Sequence, residues 1–256
     1  MMINKLFKKW KSWLDFTLVL TVREIKGRYK HVALGFLWLV ANPLLQMVVI
    51  GLILQFFPGI RTENYFLYLF LGLLPWNFFA ISFSKAVTLY VDERQLIKKA
   101  VFPRESLIFS LILSNLFHLL VGFLLVFPFS LISINFFTLV GAMVWIFVFT
   151  TGISLFFSSL NVKFRDMSFF VRAMIPIWFY VTPIIYSIQA IPEKIQILLF
   201  LNPLTAIIHF FRISFGIQES VITEAGFLLS VLVTVAITSL GVLVFRREQK
   251  YFDDWM

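Results

Sequence analysis

Six stretches of this 256-residue chain are apolar over lengths that suit a lipid bilayer, and no other feature limits its fold so tightly. They run over roughly 32–57, 65–87, 106–131, 137–160, 168–188 and 226–245. A helical crossing needs about 20 predominantly apolar residues. Backbone polar groups in lipid must be satisfied within their own segment, which selects helices for such runs. Hydrophobic residues at 60% and charged residues at 14% leave too little polar surface to clothe a water-soluble globule of this size. The predicted fold class is therefore all-α integral membrane, with six transmembrane helices in one domain over 32–256 and an interface segment over 1–31.

Within that first segment, Ile3, Leu6, Phe7, Trp10, Trp13, Leu14, Leu18, Val22 and Ile25 recur at helical spacing. Lys5, Lys8, Lys9 and Lys11 fall largely between them, which predicts an amphipathic helix lying in the membrane interface. The first long apolar run starts too far in, and is too long, for a secretory h-region, so the N-terminus is expected to be retained. Six spans put both termini on one side, and 17 of the 22 lysines and arginines fall there. Basic residues flanking spans stay in the cytoplasm, so both termini are expected to be cytoplasmic. The net charge of +9 then reflects topology and anionic lipid, and calls for no nucleic acid. Lys85 and Arg172 sit near cytoplasmic span ends, where their stems can snorkel to the headgroups.

Two connections are long enough to carry structure. Over 88–105, mixed charges around Leu96, Ile97 and Val101 precede Pro103, predicting a short cytoplasmic helix able to dock on another protein. On the opposite side, over 189–225, apolar stretches at 195–201 and 204–215 are broken by Asn202 and Pro203, and each is too short to span. They predict an external re-entrant helical hairpin between spans 5 and 6.

Clusters able to do chemistry are sparse. No glycine-rich loop ending in Gly-Lys-Ser or Gly-Lys-Thr occurs, so any nucleotide must be held by another polypeptide. Cysteine is absent, and His31, His118 and His209 are scattered over three segments, which gives no metal-ligand spacing. Asn115 and His118 share a face of the third span, where no carboxylate joins them for acid–base work, and an interhelical hydrogen bond accounts for them well. Prolines 43, 75, 128, 176 and 183 interrupt spans and free backbone carbonyls. With Asn42, Gln46, Asn77 and Thr182 these carbonyls either line a polar path or serve ordinary helix packing. The 33 phenylalanines, seven tryptophans and seven tyrosines exceed what interfacial belts require, so most rings face lipid. Trp38, Trp76, Phe78, Trp178, Tyr180 and Tyr186 lie beside polar or kinking residues and are the candidates for a channel surface that stacks on sugar rings.

The run Arg23-Glu24-Ile25-Lys26-Gly27-Arg28-Tyr29-Lys30, then Leu34-Gly35-Phe36-Leu37-Trp38 and Asn42-Pro43-Leu44, resembles the entry of permeases in the ABC type-2 export family. Asn161-Val162-Lys163-Phe164-Arg165-Asp166, Pro183-Ile184-Ile185-Tyr186-Ser187, and Leu201-Asn202-Pro203-Leu204 with Arg212 extend the resemblance over essentially the whole chain. It is most similar to the permeases that export lipid-linked O-antigen, capsular polysaccharide or teichoic acid across the bacterial cytoplasmic membrane. The resemblance implies a homodimer forming the channel, with two copies of a separate ATPase beneath it. That ATPase would bind ATP and magnesium, and this chain would hold no cofactor, no metal and no catalytic residue. Asp92, Glu93, Arg94, Leu96 and Lys98 would form the coupling helix, and Asn202, Pro203 and Arg212 an external gate. A polyprenyl-pyrophosphate-linked glycan would enter from the inner leaflet past Arg23, Lys26, Arg28 and Lys30, although these basic residues equally suit anchoring of the interface helix. Related permeases export drugs or lipids. An ATP-independent carrier would show intramembrane carboxylates or an inverted repeat, and a membrane enzyme acting on lipid-linked sugars would show a catalytic cluster; neither signature is visible.

Overall fold

A computed structural model of the protein describes residues 2–30, 38–55, 64–126, 134–217 and 222–255. Among these the chain forms eleven α-helices and two short 3-10 turns, and no β-strand. In chain order the helices are α1 (Met2–Tyr29), α2 (Trp38–Gln55), α3 (Tyr65–Asp92), α4 (Arg94–Lys99), α5 (Glu105–Val126), α6 (Phe136–Lys163), α7 (Met167–Val181), α8 (Glu193–Leu199), α9 (Pro203–Ser214), α10 (Glu224–Glu248) and α11 (Phe252–Trp255). The start of the first expected span near Val32, the Leu34 to Leu37 stretch, the Trp38 side chain, His31, Arg61 and Pro128 lie outside the described residues.

Four helices, α3, α5, α6 and α10, are long and apolar enough to cross a membrane. The spans expected at 32–57 and 168–188 correspond to the shorter α2 and α7, of 18 and 15 residues. α7 stops early for a local reason. Thr182 precedes Pro183, whose ring pushes its neighbour out of the helical region, and Thr182 is extended at φ −85°, ψ 131°. Its hydroxyl turns back to the Trp178 carbonyl at 2.8 Å. At 28 residues each, α3 and α6 are about 42 Å long at 1.5 Å per residue, against about 30 Å of hydrocarbon. A tilt of the helices or turns that project beyond the apolar slab take up the surplus.

α3 is the hub, packed against α2, α5, α6, α7 and α9. Phe79 sits at its centre, stacked on Phe83 and Phe149 and met edge-on by Trp178, at ring distances of 5.5, 5.7 and 5.1 Å. Several hydroxyls inside the helices are satisfied locally: Ser110, Ser114, Thr151 and Ser159 each donate to a carbonyl three or four residues back. Such small residues let helices approach closely where lipid supplies no hydrophobic drive for association. The tightest approach is between α6 and α10. A Cβ on Gly241 would meet the Gly152 carbonyl oxygen at 2.0 Å, and one on Gly152 would meet the Thr238 Cα at 2.5 Å.

The bundle has two distinct ends. One gathers the basic helix termini and α4, hereafter the basic end. The other gathers the α8–α9 pair, which bends by 98°, with Asn135 at the start of α6 donating its backbone N–H to the Ser214 carbonyl at 2.9 Å. The bend falls where the sequence places a helix start. Asn202 is the N-cap, its side-chain oxygen accepting from the Leu204 N–H at 3.2 Å, and Pro203 occupies the first turn.

Candidate functional site

At the basic end, α1 packs along α5, with the Trp13 ring edge-on to Phe109 at 5.4 Å and Phe16 against Phe102 at 5.2 Å. The opposite face of α1 leaves Leu18, Val19 and Val22 exposed, an apolar strip that suits contact with lipid. The four basic residues near its end divide into two kinds. Arg23 pairs with Glu93 at 2.6 Å, and Arg28 reaches the Asn115 side-chain oxygen at 2.6 Å and His118 Nδ1 at 3.2 Å. Lys26 and Lys30 are exposed. Glu24 accepts from both Arg28, at 3.3 Å, and Lys85, at 3.4 Å. Asn115 in turn donates to the Ser82 hydroxyl at 2.8 Å, so α1, α3 and α5 share one polar network. Arg23 and Arg28 thus tie the N-terminal helix down.

The segment expected to dock on a partner follows α3 directly. α4 buries Ile97 and leaves Arg94, Lys98, Lys99 and Val101 exposed, while Leu96 is partly covered. Asp92 accepts from the Thr88 hydroxyl at 2.8 Å, and Glu93 caps the junction while holding Arg23. Sequence reasoning missed what lies behind it. The short helix α11 inserts Phe252, 1% exposed, between Tyr90 and Phe245 at ring distances of 4.9 and 6.2 Å. The Arg104 guanidinium lies over Phe252 and donates to the Gln249 carbonyl, and the Tyr90 hydroxyl donates to the Arg104 carbonyl at 3.3 Å. Lys163 sits 4.5 Å from the Trp255 ring centroid. The ends of α3, α5, α6 and α10 meet on that segment. The available clue was Tyr251, Phe252 and Trp255 standing in an otherwise charged stretch.

At the far end the structure gathers residues from three motifs. Arg212 on α9 is 1% exposed and donates to the carbonyls of Tyr68, Pro183 and Ile184 at 3.3, 3.0 and 2.7 Å. Its guanidinium carbon lies 3.4 Å from the centroid of the Tyr68 ring. Tyr65 and Tyr68 donate their hydroxyls to the carbonyls of Ile185 and Tyr186, each at 2.9 Å. Asn202 donates to the Thr182 hydroxyl at 2.8 Å. Four consecutive carbonyls freed where α7 breaks are therefore taken up by side chains from α3 and α9. A side chain at position 72 would collide with this arrangement, since a Cβ there would come within 2.7 Å of an Arg212 nitrogen.

The five aromatic candidates whose side chains are described do not share one surface. Trp76 lines a cavity of about 300 Å³ between α2, α3 and α7, together with Tyr180, Phe179, Gln46 and Asn77. Asn77 donates to Gln46 there at 3.0 Å. Phe78 is buried, Trp178 points into the Phe79 cluster, and the Tyr186 hydroxyl donates to the carbonyls of Tyr180 and Val181 at 3.1 and 3.2 Å.

Residues 16–216 match the model of the ABC-2 type transporter family. An O-antigen export system permease protein RfbA of Klebsiella pneumoniae is 33% identical over 254 residues, covering 93% of each chain. A second from the same organism is 34% identical over 208 residues, covering 77% of this chain and 79% of its own. The Myxococcus xanthus protein of the same name is 28% identical over 218 residues, covering 82% of this chain and 84% of its own. With the long apolar helices of the bundle, a match running from α1 past the end of α9 and these relatives lead to one assignment: the chain belongs to the ABC-2 type transporter family.

Proposed function

We propose that this protein is the channel-forming subunit of an ATP-driven exporter that carries a lipid-linked, O-antigen-like polysaccharide across the bacterial cytoplasmic membrane. The observation that carries the reading is 33% identity over 93% of both chains to an O-antigen export permease. ATP and magnesium are then held by a separate ATPase, in keeping with a sequence that carries no phosphate-cradling loop. In this reading α2 and α7 complete six spans, both termini are cytoplasmic, and the hairpin end faces outward. A second copy of the chain completes the channel, because six helices cannot enclose a glycan-sized pore and still pack on one another. The exposed face of α4 receives the ATPase, Lys26 and Lys30 add positive field at the entrance, and Asn202, Pro203 and Arg212 form the external gate.

Affinity purification from the native host tests the assembly. A nucleotide-binding ATPase is expected to accompany the chain, and its absence from every preparation would remove the proposal. Reversing the charges of Asp92, Glu93 and Arg94 together is expected to leave ATP hydrolysis running while export falls about tenfold. Unchanged coupling would mean that α4 is not the docking helix. Among the aromatics, Tyr180 gives the cleanest test of a sugar-stacking track, because it is 66% exposed whereas Trp178 supports the core. Tyr180→Ala is expected to lower export several-fold with ATPase assembly intact, and wild-type export would exclude Tyr180 from the track.

A further inference from the structure

Between α3 and α7 a second cavity, of about 400 Å³, opens toward the basic end and is lined by Lys85, Arg172, Ser84 and the apolar wall of Ile81 and Ile175. Ile175 and Pro176 also line the cavity that holds Trp76, Asn77 and Tyr180, so the two adjoin across these residues. Side by side they follow α7 as a groove, cationic at Lys85 and Arg172 and polar and aromatic at Asn77, Trp76 and Tyr180.

Charge at the mouth is unbalanced. No acidic residue lines this cavity. Lys85 has Glu24 at 3.4 Å, but that carboxylate is already shared with Arg28 at 3.3 Å. Arg172 lies 5.9 Å from the Phe169 ring centroid and pairs with no carboxylate among the described residues. Lys85 thus shares one carboxylate with Arg28, and Arg172 adds a second cation to the same cavity at the edge of the apolar slab, where the low dielectric makes an uncompensated charge felt more strongly than in water. Arg23 and Arg28, the more obvious basic residues, are occupied by Glu93, Glu24 and Asn115.

We propose that Lys85 and Arg172 hold the phosphate-bearing headgroup of a lipid-linked glycan at the mouth of the α3–α7 groove. Its isoprenoid tail lies in the membrane along Ile81 and Ile175, and its sugars lead toward Asn77 and Tyr180. Charge complementarity selects the occupant. A planar guanidinium and a compact ammonium together match the several oxygens of a pyrophosphate, and the apolar wall suits a lipid chain rather than a soluble anion. This site rests on the polysaccharide-export reading and specifies where its substrate is gripped.

The test uses the intact permease–ATPase complex in nanodiscs of neutral phosphatidylcholine, with a polyprenyl pyrophosphate as the probe. Arg172→Gln is expected to weaken binding about tenfold, and Lys85→Gln combined with it about a hundredfold, one charge-assisted contact being lost at each step. Arg172→Lys, which keeps the charge but loses the planar fork, is expected to bind more tightly than Arg172→Gln and more weakly than wild type. Arg172→Gln keeps the test sound if Lys85→Gln loosens α1, since among the described residues no ion pair joins Arg172 to that helix. Inorganic pyrophosphate alone is expected to compete poorly. Equal binding by the double variant, or full displacement of the probe by phosphatidylglycerol at equal mole fraction, would overturn the site while leaving the export reading standing. A wild-type complex that binds no polyprenyl pyrophosphate would instead sink the lipid-linked cargo, and the site with it.

Discussion

Replacing Arg212 with methionine is expected to cost about 3 to 5 kcal/mol of stability and to lower Tm by about 10 °C in detergent. The side chain is buried and hydrogen-bonded to three carbonyls, of which those of Pro183 and Ile184 belong to the segment where the α7 helix has already broken. Methionine fills much of the space but donates nothing, so both acceptors would be left unsatisfied away from water, at about 1 to 3 kcal/mol each. Relief of the guanidinium's own desolvation does not offset this, because the acceptors stay in place. Arg212→Lys is expected to rescue only partly, since one ammonium cannot reach three carbonyls while stacking on Tyr68. Intrinsic tryptophan fluorescence during thermal unfolding reads the loss, and an Arg212→Met protein as stable as wild type would refute the clamp.

The second large effect is expected at the α6–α10 crossing. In Gly241→Ala the new methyl would lie 2.0 Å from the Gly152 carbonyl oxygen and 2.9 Å from its carbon. Those are backbone atoms, which cannot rotate away, so the two helices must separate along their contact. Overpacking of this kind costs about 1 to 3 kcal/mol in ordinary cores, and a backbone-on-backbone clash places the variant at the upper end. Gly141→Ala supplies the control, because an added Cβ there meets nothing within 4 Å. That change is expected to be neutral or to stabilise by about 0.5 to 1 kcal/mol through helix propensity. Equal unfolding temperatures for the two variants would show that the crossing is looser than described.

What could be read in the sequence follows from which interactions are local. The apolar runs under α3, α5, α6 and α10 announce themselves because lipid imposes one length and one secondary structure on them. Asn202-Pro203 marks the bend between α8 and α9 by cap chemistry alone. The end of α7 is legible in Pro183, yet apolar composition continues through Ile184 and Ile185 and carries the expected span past the point where the helix ends. Pairings across the fold were not legible. Nothing near Arg23 indicates that its partner is Glu93, 70 positions away, or that Arg212 would reach carbonyls 28 and 29 positions earlier. The Phe252 insertion belongs to the same class, because an aromatic in a short charged tail has no periodic neighbours to reveal what it covers.

α3 bears on both ends of the bundle. Its last turn runs through Glu93 into α4, and its first turn carries the two tyrosines that grip the broken end of α7. One 28-residue helix, with Pro75 inside it, therefore joins the start of α4 to the strap that Tyr65 and Tyr68 hold at the opposite surface. A bend at Pro75 would change the angle between those two attachments without breaking either of them.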